Sequence, residues 1–302
     1  MGRRIALLTL VLALVAGACG DDDPVVSTST QPDTGAFPVS VLGTEIPALP
    51  ERIVSLSATH TEVLFEIGAG DAVIATDVFS DYPAAAAATE KVDAFNLSVE
   101  AVATLDPDLV ILSYDPGDAV SGLTALGIPV ILFSPPGPAS LGEVYDEWQA
   151  LGVATGHSAE AQALVVQVRA DIQDVVDRVP QNIRSFTYFV ELDSTLFTAG
   201  PDSLLSAVFG MLGMTNIVGQ DAGAFPQVSA EFLLDADPDF IFLADTVCCG
   251  QNAATVAERP GWDELSAVIN GNVVELDDSV ASRWSPRIFE LIFTIAKEVY
   301  GV

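Results

Sequence analysis

A fifteen-residue unit occurs twice in this chain, as SVEAVATLDPDLVIL at Ser98–Leu112 and as SAEFLLDADPDFIFL at Ser229–Leu243. Each copy has a serine two positions before a glutamate, then Asp-Pro-Asp, then an apolar run. Serine favours the N-cap of a helix, the helix dipole stabilises an early acidic residue, and proline ends the helix. Each copy therefore predicts a short helix followed by a buried strand. The repetition predicts two similar lobes rather than one continuous sheet, and the alternative is chance repetition of a common α/β pattern.

The rest of the chain supports two α/β lobes with parallel-type sheets, joined by a long helix, with a ligand cleft between the lobes. Apolar residues at helical spacing predict the long helix at Ser158–Val179, with breaks before it at Gly152 and Gly156. Predicted strands are Arg52–Leu56, Ala72–Thr76, Leu109–Leu112, Pro129–Phe133, Phe186–Glu191, Phe240–Ala244 and Asn272–Leu276. We divide the chain into a signal peptide (1–18), a flexible tether (19–44), an N-terminal lobe (45–140), a connecting helical segment (141–180) and a C-terminal lobe (181–302).

The N-terminus is typical of an export signal. Arg3 and Arg4 precede the apolar run Ile5–Val15, which is too short to remain as a membrane-spanning helix. The small residues before Cys19 resemble a bacterial lipobox, so we expect cleavage to leave Cys19 as a lipidated N-terminus anchored to the cell membrane. The alternative is an ordinary secretory signal. Both place the protein outside the cytoplasm, on a tether rich in Asp, Ser, Thr and Pro.

The charge balance excludes one class of partner. The 302 residues include 42 acidic and 11 basic side chains, for a formal net charge of −31. A surface of this sign repels the phosphates of nucleic acids, so a nucleic-acid partner is not expected.

Residues that usually carry enzyme chemistry are scarce. The two histidines are His60 and His157, and the chain has no HExxH, GxSxG or glycine-rich phosphate-loop motif. We therefore expect a binding protein rather than an enzyme, with no cofactor and no metal site of its own. His157 lies in a turn and is expected to be solvated. His60 lies in a capping-box pattern after the first strand, where it either only begins a helix or contacts a ligand.

Two further features bear on a site. Cys248 and Cys249 are adjacent, and outside the cytoplasm we expect them to form a structural disulfide; the alternative is a soft-metal site, although no other soft ligand lies nearby in sequence. Aromatic residues follow the predicted strands, where they would line a cleft or, for Phe133 and Phe197 in particular, pack in the core. They are Phe79, Tyr82, Phe95, Tyr114, Phe133, Phe197 and Trp284.

Several segments, taken together, resemble the substrate-binding proteins of bacterial ABC importers for cobalamin, ferric siderophores and haem. The resemblance runs from about Pro50 to Tyr300, and SDYP, PQVSxE and SPR are most similar to the cobalamin-binding members. The segments are PERIVSLSATHTEVLFEIGAG, FSDYP, NLSVEAVATLDPDLVI, LGIPV, FPQVSAEFLLDADPDFI and SRWSPRI.

The resemblance implies two lobes joined by a long helix with little hinge motion, and a monomeric receptor that delivers its ligand to a permease dimer. It also implies that Glu100 and Glu231, one on each lobe, dock onto arginines of the permease. Their alternative role is only to favour the start of a helix.

For the ligand, the resemblance implies a metal chelate. Phe95 and Tyr114 stand near positions where the cobalamin binder has tryptophans. Arg283 and Trp284 are expected to hold an anionic group and stack on a ring, and the alternative for Arg283 is a salt bridge within the protein. Haem would require an axial ligand such as His60, Tyr82 or Tyr114.

The expected function is thus an extracytoplasmic lipoprotein receptor for a ferric siderophore or cobalamin. A haem receptor of the same family is one alternative. A sensor without a transport role, or a chelatase-like enzyme on the same fold, is another.

Overall fold

The computed structural model describes residues 34–133, 137–181 and 184–302. The expected signal peptide, Cys19 and most of the expected tether lie outside these residues. The folded part begins earlier than residue 45, because a β-hairpin of strands β1 (Val39–Val41) and β2 (Thr44–Ile46) packs Val41 and Ile46 into the core. The tether therefore ends before residue 39, a correction that follows from the apolar side chains of this hairpin.

The N-terminal lobe is a five-stranded, fully parallel sheet with strand order β5-β4-β3-β6-β7. Strands β3 and β6 are buried along their whole length, as their apolar runs predict. The elements after the hairpin are β3 (Ile53–Leu56), α1 (Ala58–Glu66), β4 (Val73–Asp77), α2 (Ala84–Ala87), β5 (Glu90–Val92), α3 (Val99–Thr104), β6 (Leu109–Leu112), α4 (Ala119–Ala125) and β7 (Val130–Leu132).

Two helices connect the lobes. The sequence predicted one long helix, preceded by a segment interrupted at Gly152 and Gly156. They are α5 (Leu141–Thr155) and α6 (Ser158–Arg178). The predicted break at Gly156 is confirmed, since this residue ends α5 in the left-handed conformation. The predicted break at Gly152 is wrong. Gly152 lies inside α5, where an added Cβ would come within 2.5 Å of the Cβ of Ala161, so the glycine allows α5 and α6 to pack closely.

The C-terminal lobe holds a second parallel sheet, with strand order β11-β10-β8-β9. The predicted strands of both lobes agree with the structure to within one residue at each end. The short strands β5 and β9 were missed, because polar edge strands of two or three residues carry no apolar alternation. The elements of this lobe are β8 (Thr187–Glu191), α7 (Leu204–Met211), β9 (Thr215–Asn216), α8 (Ala230–Ala236), β10 (Phe240–Leu243), α9 (Thr246–Cys249), α10 (Ala253–Ala257), α11 (Ser266–Ile269), β11 (Val273–Glu275), α12 (Asp278–Ala281) and α13 (Ile288–Tyr300).

The repeated sequence unit forms the same structure in both lobes. Ser98 caps α3 by accepting a hydrogen bond from the backbone N–H of Ala101 at 3.2 Å, and Ser229 caps α8 by accepting one from Phe232 at 3.2 Å. The strand after each helix, β6 or β10, is fully buried. The prediction of two equivalent helix–strand units is confirmed.

The second aspartate of each Asp-Pro-Asp holds the start of the neighbouring strand. The Asp108 carboxylate accepts hydrogen bonds from the backbone N–H groups of Glu51 and Arg52 at 2.8 and 3.0 Å. In the same way, the Asp239 carboxylate accepts a hydrogen bond from the backbone N–H of Thr187 at 2.8 Å. In both lobes, the same aspartate-to-backbone hydrogen bonds thus join the starts of adjacent strands.

The largest apolar core crosses from one lobe to the other. It contains Ile53 of β3, Trp148 of α5, Tyr188 of β8 and Leu291 of α13, all buried. Two smaller cores cover the outer face of each sheet. Helices α5, α6 and α13 therefore tie the lobes together through packed side chains. Within the described ranges, no helix combines the length and apolar character needed to cross a membrane.

Candidate functional site

Two cavities lie between the lobes, at the carboxyl ends of the parallel strands, where ligands bind in open α/β sheets. The N-side cavity has a volume of about 310 Å³ and is lined by residues that include Leu56, Thr59, Asp77, Phe79, Phe95 and Tyr114. The C-side cavity has a volume of about 300 Å³ and is lined by residues that include Leu192, Asp202, Leu204, Val208, Phe225 and Leu291.

Three consecutive residues form a wall that the two cavities share. Ser282, Arg283 and Trp284 line both, in the segment between α12 and α13. The structure therefore places Trp284 at the cavities between the lobes, as the sequence predicted. We refer to the two cavities and this wall together as the cleft.

Three of the predicted aromatic residues meet on the N-side. The ring of Phe95 lies 5.9 Å from that of Phe79, nearly perpendicular to it, and 6.2 Å from that of Tyr114. Each side chain is about half exposed, although aromatic rings are usually buried. The cluster offers a ligand an aromatic surface of three rings.

Tyr82 does not belong to this cluster. Its ring lies outside both cavities, and the guanidinium of Arg287 stacks over it at 4.5 Å from the ring centroid. Of the candidate axial ligands for haem, Tyr114 therefore lines a cavity and Tyr82 does not.

His60 lies beneath the cleft, inside helix α1 rather than in a loop before it. The side chain is fully buried and lines neither cavity, so the structure does not show the expected direct ligand contact. The His60 ring stacks on Phe133 at 4.1 Å, and its Nδ1 lies 2.7 Å from Ser57 Oγ. The capping-box pattern placed the helix start too late, since α1 begins at Ala58. Ser57 precedes the helix without capping it, because its hydroxyl contacts the His60 ring instead.

A partly buried carboxylate links His60 to the shared wall. Glu147 Oε2, on α5, accepts a hydrogen bond from Trp284 Nε1 at 2.6 Å and lies 3.2 Å from His60 Nε2. The backbone oxygen of Trp284 accepts a further bond from Trp148 Nε1 at 3.1 Å. The connecting helix thus fixes the orientation of the Trp284 ring.

Arg283 takes the salt-bridge alternative. Its guanidinium donates to Glu62 Oε1 at 2.8 Å, to Asp81 Oδ1 at 2.7 Å and to the backbone oxygen of Phe79 at 2.8 Å. Arg287 donates to both oxygens of Glu62, at 2.8 and 2.5 Å. The hydrogen bonds to the Glu62 carboxylate raise the pKa of Arg287 above its ordinary value. Glu62 of the N-terminal lobe therefore holds two arginines of the C-terminal lobe.

Apart from Arg283 and Trp284 of the shared wall, the residues of the C-side cavity were not predicted from the sequence. They are mainly aliphatic, and five of them belong to helices α7 and α13, whose apolar stripes are typical of an ordinary core. Among the described residues, no group of three or more His, Cys, Asp or Glu is arranged to hold a metal ion.

Glu100 and Glu231 are exposed in the first turns of α3 and α8. Ser98 Oγ donates to Glu100 Oε2 at 3.1 Å. The pKa of Glu231 is lowered by a hydrogen bond from its own backbone N–H and by one from Ser229. Since both helices follow strands of the parallel sheets, their N-termini lie at the sheet edges that face the cleft.

The two cysteines and the second histidine, also singled out from the sequence, lie in different environments. Cys248 and Cys249 are joined by a disulfide in the short helix α9, at the surface. His157 is buried, contrary to the expectation of a solvated turn, because it packs against Gly68 and its Nδ1 lies 2.8 Å from the backbone oxygen of Thr155.

A second buried charge cluster lies in the C-terminal lobe. Arg259 donates to both oxygens of Glu191 at 2.6 Å. Beside them, Asp245 is fully buried, and within the described part of the chain its carboxylate oxygens have no hydrogen-bond partner. Burial, and then the negative charge of Glu191, raise the pKa of Asp245 to about 7.

Comparison with known proteins places this cleft in a family. A family model described as periplasmic binding protein matches residues 53–280, which include the parallel sheets of both lobes and end within α12, just before the shared wall. The chain belongs to the periplasmic binding protein family.

Relatives of this periplasmic binding protein match it over most of its length, and the solved structures among them share its fold. An uncharacterised ABC transporter substrate-binding lipoprotein of Bacillus subtilis is 28% identical, over 98% of this chain and 96% of its own. The crystal structure of a periplasmic vitamin B12-binding protein of Vibrio cholerae has 28% identity and a TM-score of 0.69, covering 82% of this chain and 97% of that one. The crystal structure of a periplasmic solute-binding protein of Staphylococcus epidermidis, described as a possible iron-binding protein, has 25% identity and a TM-score of 0.73, covering 83% of this chain and 99% of that one.

Proposed function

We propose that this protein is the extracytoplasmic receptor of an ABC importer, that it binds a metal-chelate nutrient, and that the nutrient is a ferric siderophore or cobalamin. The observation that carries the proposal is the cleft itself. It has two adjoining cavities of about 300 Å³ with a largely apolar and aromatic lining, on a fold whose relatives include vitamin B12-binding and iron-binding proteins. The anchored Trp284 and the core that crosses both lobes favour a preformed site.

Quenching of tryptophan fluorescence tests the ligand class. The chain has three tryptophans, and Trp148 and Trp262 are buried while Trp284 lines the cleft. The full-length protein in detergent is titrated with cyanocobalamin, with a ferric hydroxamate siderophore and with haemin. We expect saturable one-to-one quenching by a member of the first two classes, and its loss in Trp284→Phe.

The same titration can overturn the proposal. Quenching that survives Trp284→Phe would place the ligand outside the cleft. Chemical turnover of a bound chelate would favour an enzyme, and the absence of binding by all three classes would contradict the receptor function.

We further propose that Glu100 and Glu231 dock the receptor onto cationic residues of the permease, with the receptor acting as a monomer. Both carboxylates are exposed, both start helices on the cleft side of their lobes, and each belongs to one copy of the repeated unit.

Charge reversal separates docking from ligand binding. The double change Glu100→Arg and Glu231→Arg should abolish cellular uptake of the chelate and leave its affinity for the purified protein unchanged. Glu66→Arg and Glu298→Arg, at exposed positions outside the repeated units, serve as the control. Uptake that survives the first pair would contradict docking through these residues.

We propose that the protein lies on the outer face of the cell membrane, to which a lipid on Cys19 anchors it. Mass spectrometry of the mature N-terminus tests this location. A Cys19→Ser variant should lose the lipid and leave the membrane fraction, and membrane retention of that variant would contradict the anchor.

A further inference from the structure

The charges around the cleft are mostly negative. Two carboxylates line the cavities directly, and three more contact the residues of the shared wall or their partners. These five carboxylates belong to Asp77, Asp202, Glu62, Asp81 and Glu147.

The nearby cations are already neutralised within the protein. Arg283 contacts two carboxylates and a carbonyl oxygen, and Arg287 is paired with both oxygens of Glu62. The side chains of Arg283 and Arg287 are only 9% and 13% exposed. Lys91 is exposed, but its ammonium donates to Thr76 Oγ1 at 2.8 Å and to two backbone oxygens at 2.6 and 3.0 Å, so its three hydrogen bonds are made within the N-terminal lobe.

An anionic ligand would therefore enter a cleft with excess negative charge, where none of the described residues places an unpaired cation on the walls. Within a site of low dielectric constant, a charge without a partner is strongly disfavoured. By contrast, the exposed rings of Phe79, Phe95 and Tyr114 favour apolar groups and cations, because the face of an aromatic ring is negative. Asp202 is exposed at the C-side cavity, with no salt bridge among the described residues, and can pair with a cationic group.

We propose that the ligand is a chelate with neutral or positive net charge, and that the cleft selects against polyanionic chelates. This inference rests on the proposed receptor function and narrows its substrate class. It also replaces the expectation that Arg283 holds an anionic group of the ligand.

The test compares chelates that differ in charge and share a metal-binding core. Ferrioxamine B carries a free ammonium group and is cationic, whereas its N-succinyl derivative ends in a carboxylate and is anionic. Cyanocobalamin is neutral, and its carboxylic acid derivatives are anionic. Affinities are measured by Trp284 quenching at low and at physiological ionic strength.

For whichever core binds, we expect the neutral or cationic form to bind at least tenfold more tightly than the anionic form at low salt. We expect the difference to shrink as salt screens the charges. Equal affinity, or tighter binding of the anionic form, would overturn the inference and leave the receptor function standing. If neither core binds in any form, the receptor function fails and the inference fails with it.

A matched pair of variants locates the effect. Asp202→Asn should reduce the preference for the cationic form several-fold, because it removes one carboxylate from the cavity wall. Asp263→Asn, an exposed acid in the same lobe that lines neither cavity, should leave the preference unchanged. Equal effects of the two variants would mean that overall protein charge, and not the cleft, sets the preference.

Discussion

The contact between Glu62 and two arginines should contribute strongly to stability. The Glu62 side chain is 2% exposed, and its two oxygens accept hydrogen bonds from Arg283 and Arg287. In Glu62→Gln the shape is kept, but two guanidinium groups remain largely buried without their shared carboxylate. Removing one partner of a buried ion pair costs about 3–5 kcal/mol. Because glutamine can still accept one hydrogen bond and Asp81 still pairs with Arg283, we expect about 3 kcal/mol.

The measurement is the free energy of unfolding from urea titrations followed by circular dichroism. Glu66→Gln is the matched control, since Glu66 is an exposed residue of the same helix, and we expect it to cost less than about 0.5 kcal/mol. A double-mutant cycle with Arg287→Met should recover a coupling of about 1–3 kcal/mol. A loss below about 1 kcal/mol for Glu62→Gln, or no coupling in the cycle, would refute the reasoning.

Three further perturbations test separate parts of the structure. Gly152→Ala should destabilise the protein by about 1–3 kcal/mol in urea titrations, because its Cβ would lie 2.5 Å from an alanine Cβ of α6; an unchanged midpoint would contradict this packing. Asp245→Asn should stabilise the protein at pH 8 by roughly 2 kcal/mol and leave it unchanged near pH 4. The folded-state pKa of about 7 lies above the ordinary 3.8, so wild-type stability falls as pH rises from about 4 to about 7, and a gain that is equal at both pH values would refute the assignment. Glu147→Ala should weaken chelate binding about tenfold by releasing the indole N–H of Trp284, whereas Glu147→Gln, which can still accept that hydrogen bond, should bind nearly normally.

Much of the fold could be predicted from the sequence because the decisive signals are local. A serine cap, an early glutamate and a proline lie within ten residues of each other in both copies of the repeated unit, and the structure forms both caps. The apolar runs that follow are long enough to specify buried strands. The short polar strands β5 and β9 depend on pairing with a neighbour and left no such pattern.

The cleft was harder to predict because its contacts join distant parts of the chain. Glu62 and Arg287 are 225 residues apart, and Glu147 and Trp284 are 137 apart. A sequence pattern placed Trp284 and the aromatic cluster correctly, since residues after parallel strands gather at one sheet edge. It could not show that Arg283 would be paired with carboxylates, nor that the His60 side chain would be buried and line neither cavity.

The apolar core that crosses from one lobe to the other has a consequence for how the protein melts. Because α5, α6 and α13 share that core with both sheets, neither lobe can lose its packing without exposing apolar surface of the other. The molecule should therefore behave as a single cooperative unit, with one calorimetric transition whose van't Hoff and calorimetric enthalpies agree. For a receptor outside the cytoplasm, such cooperativity leaves no half-melted state in which one lobe is open to proteases while the other remains folded.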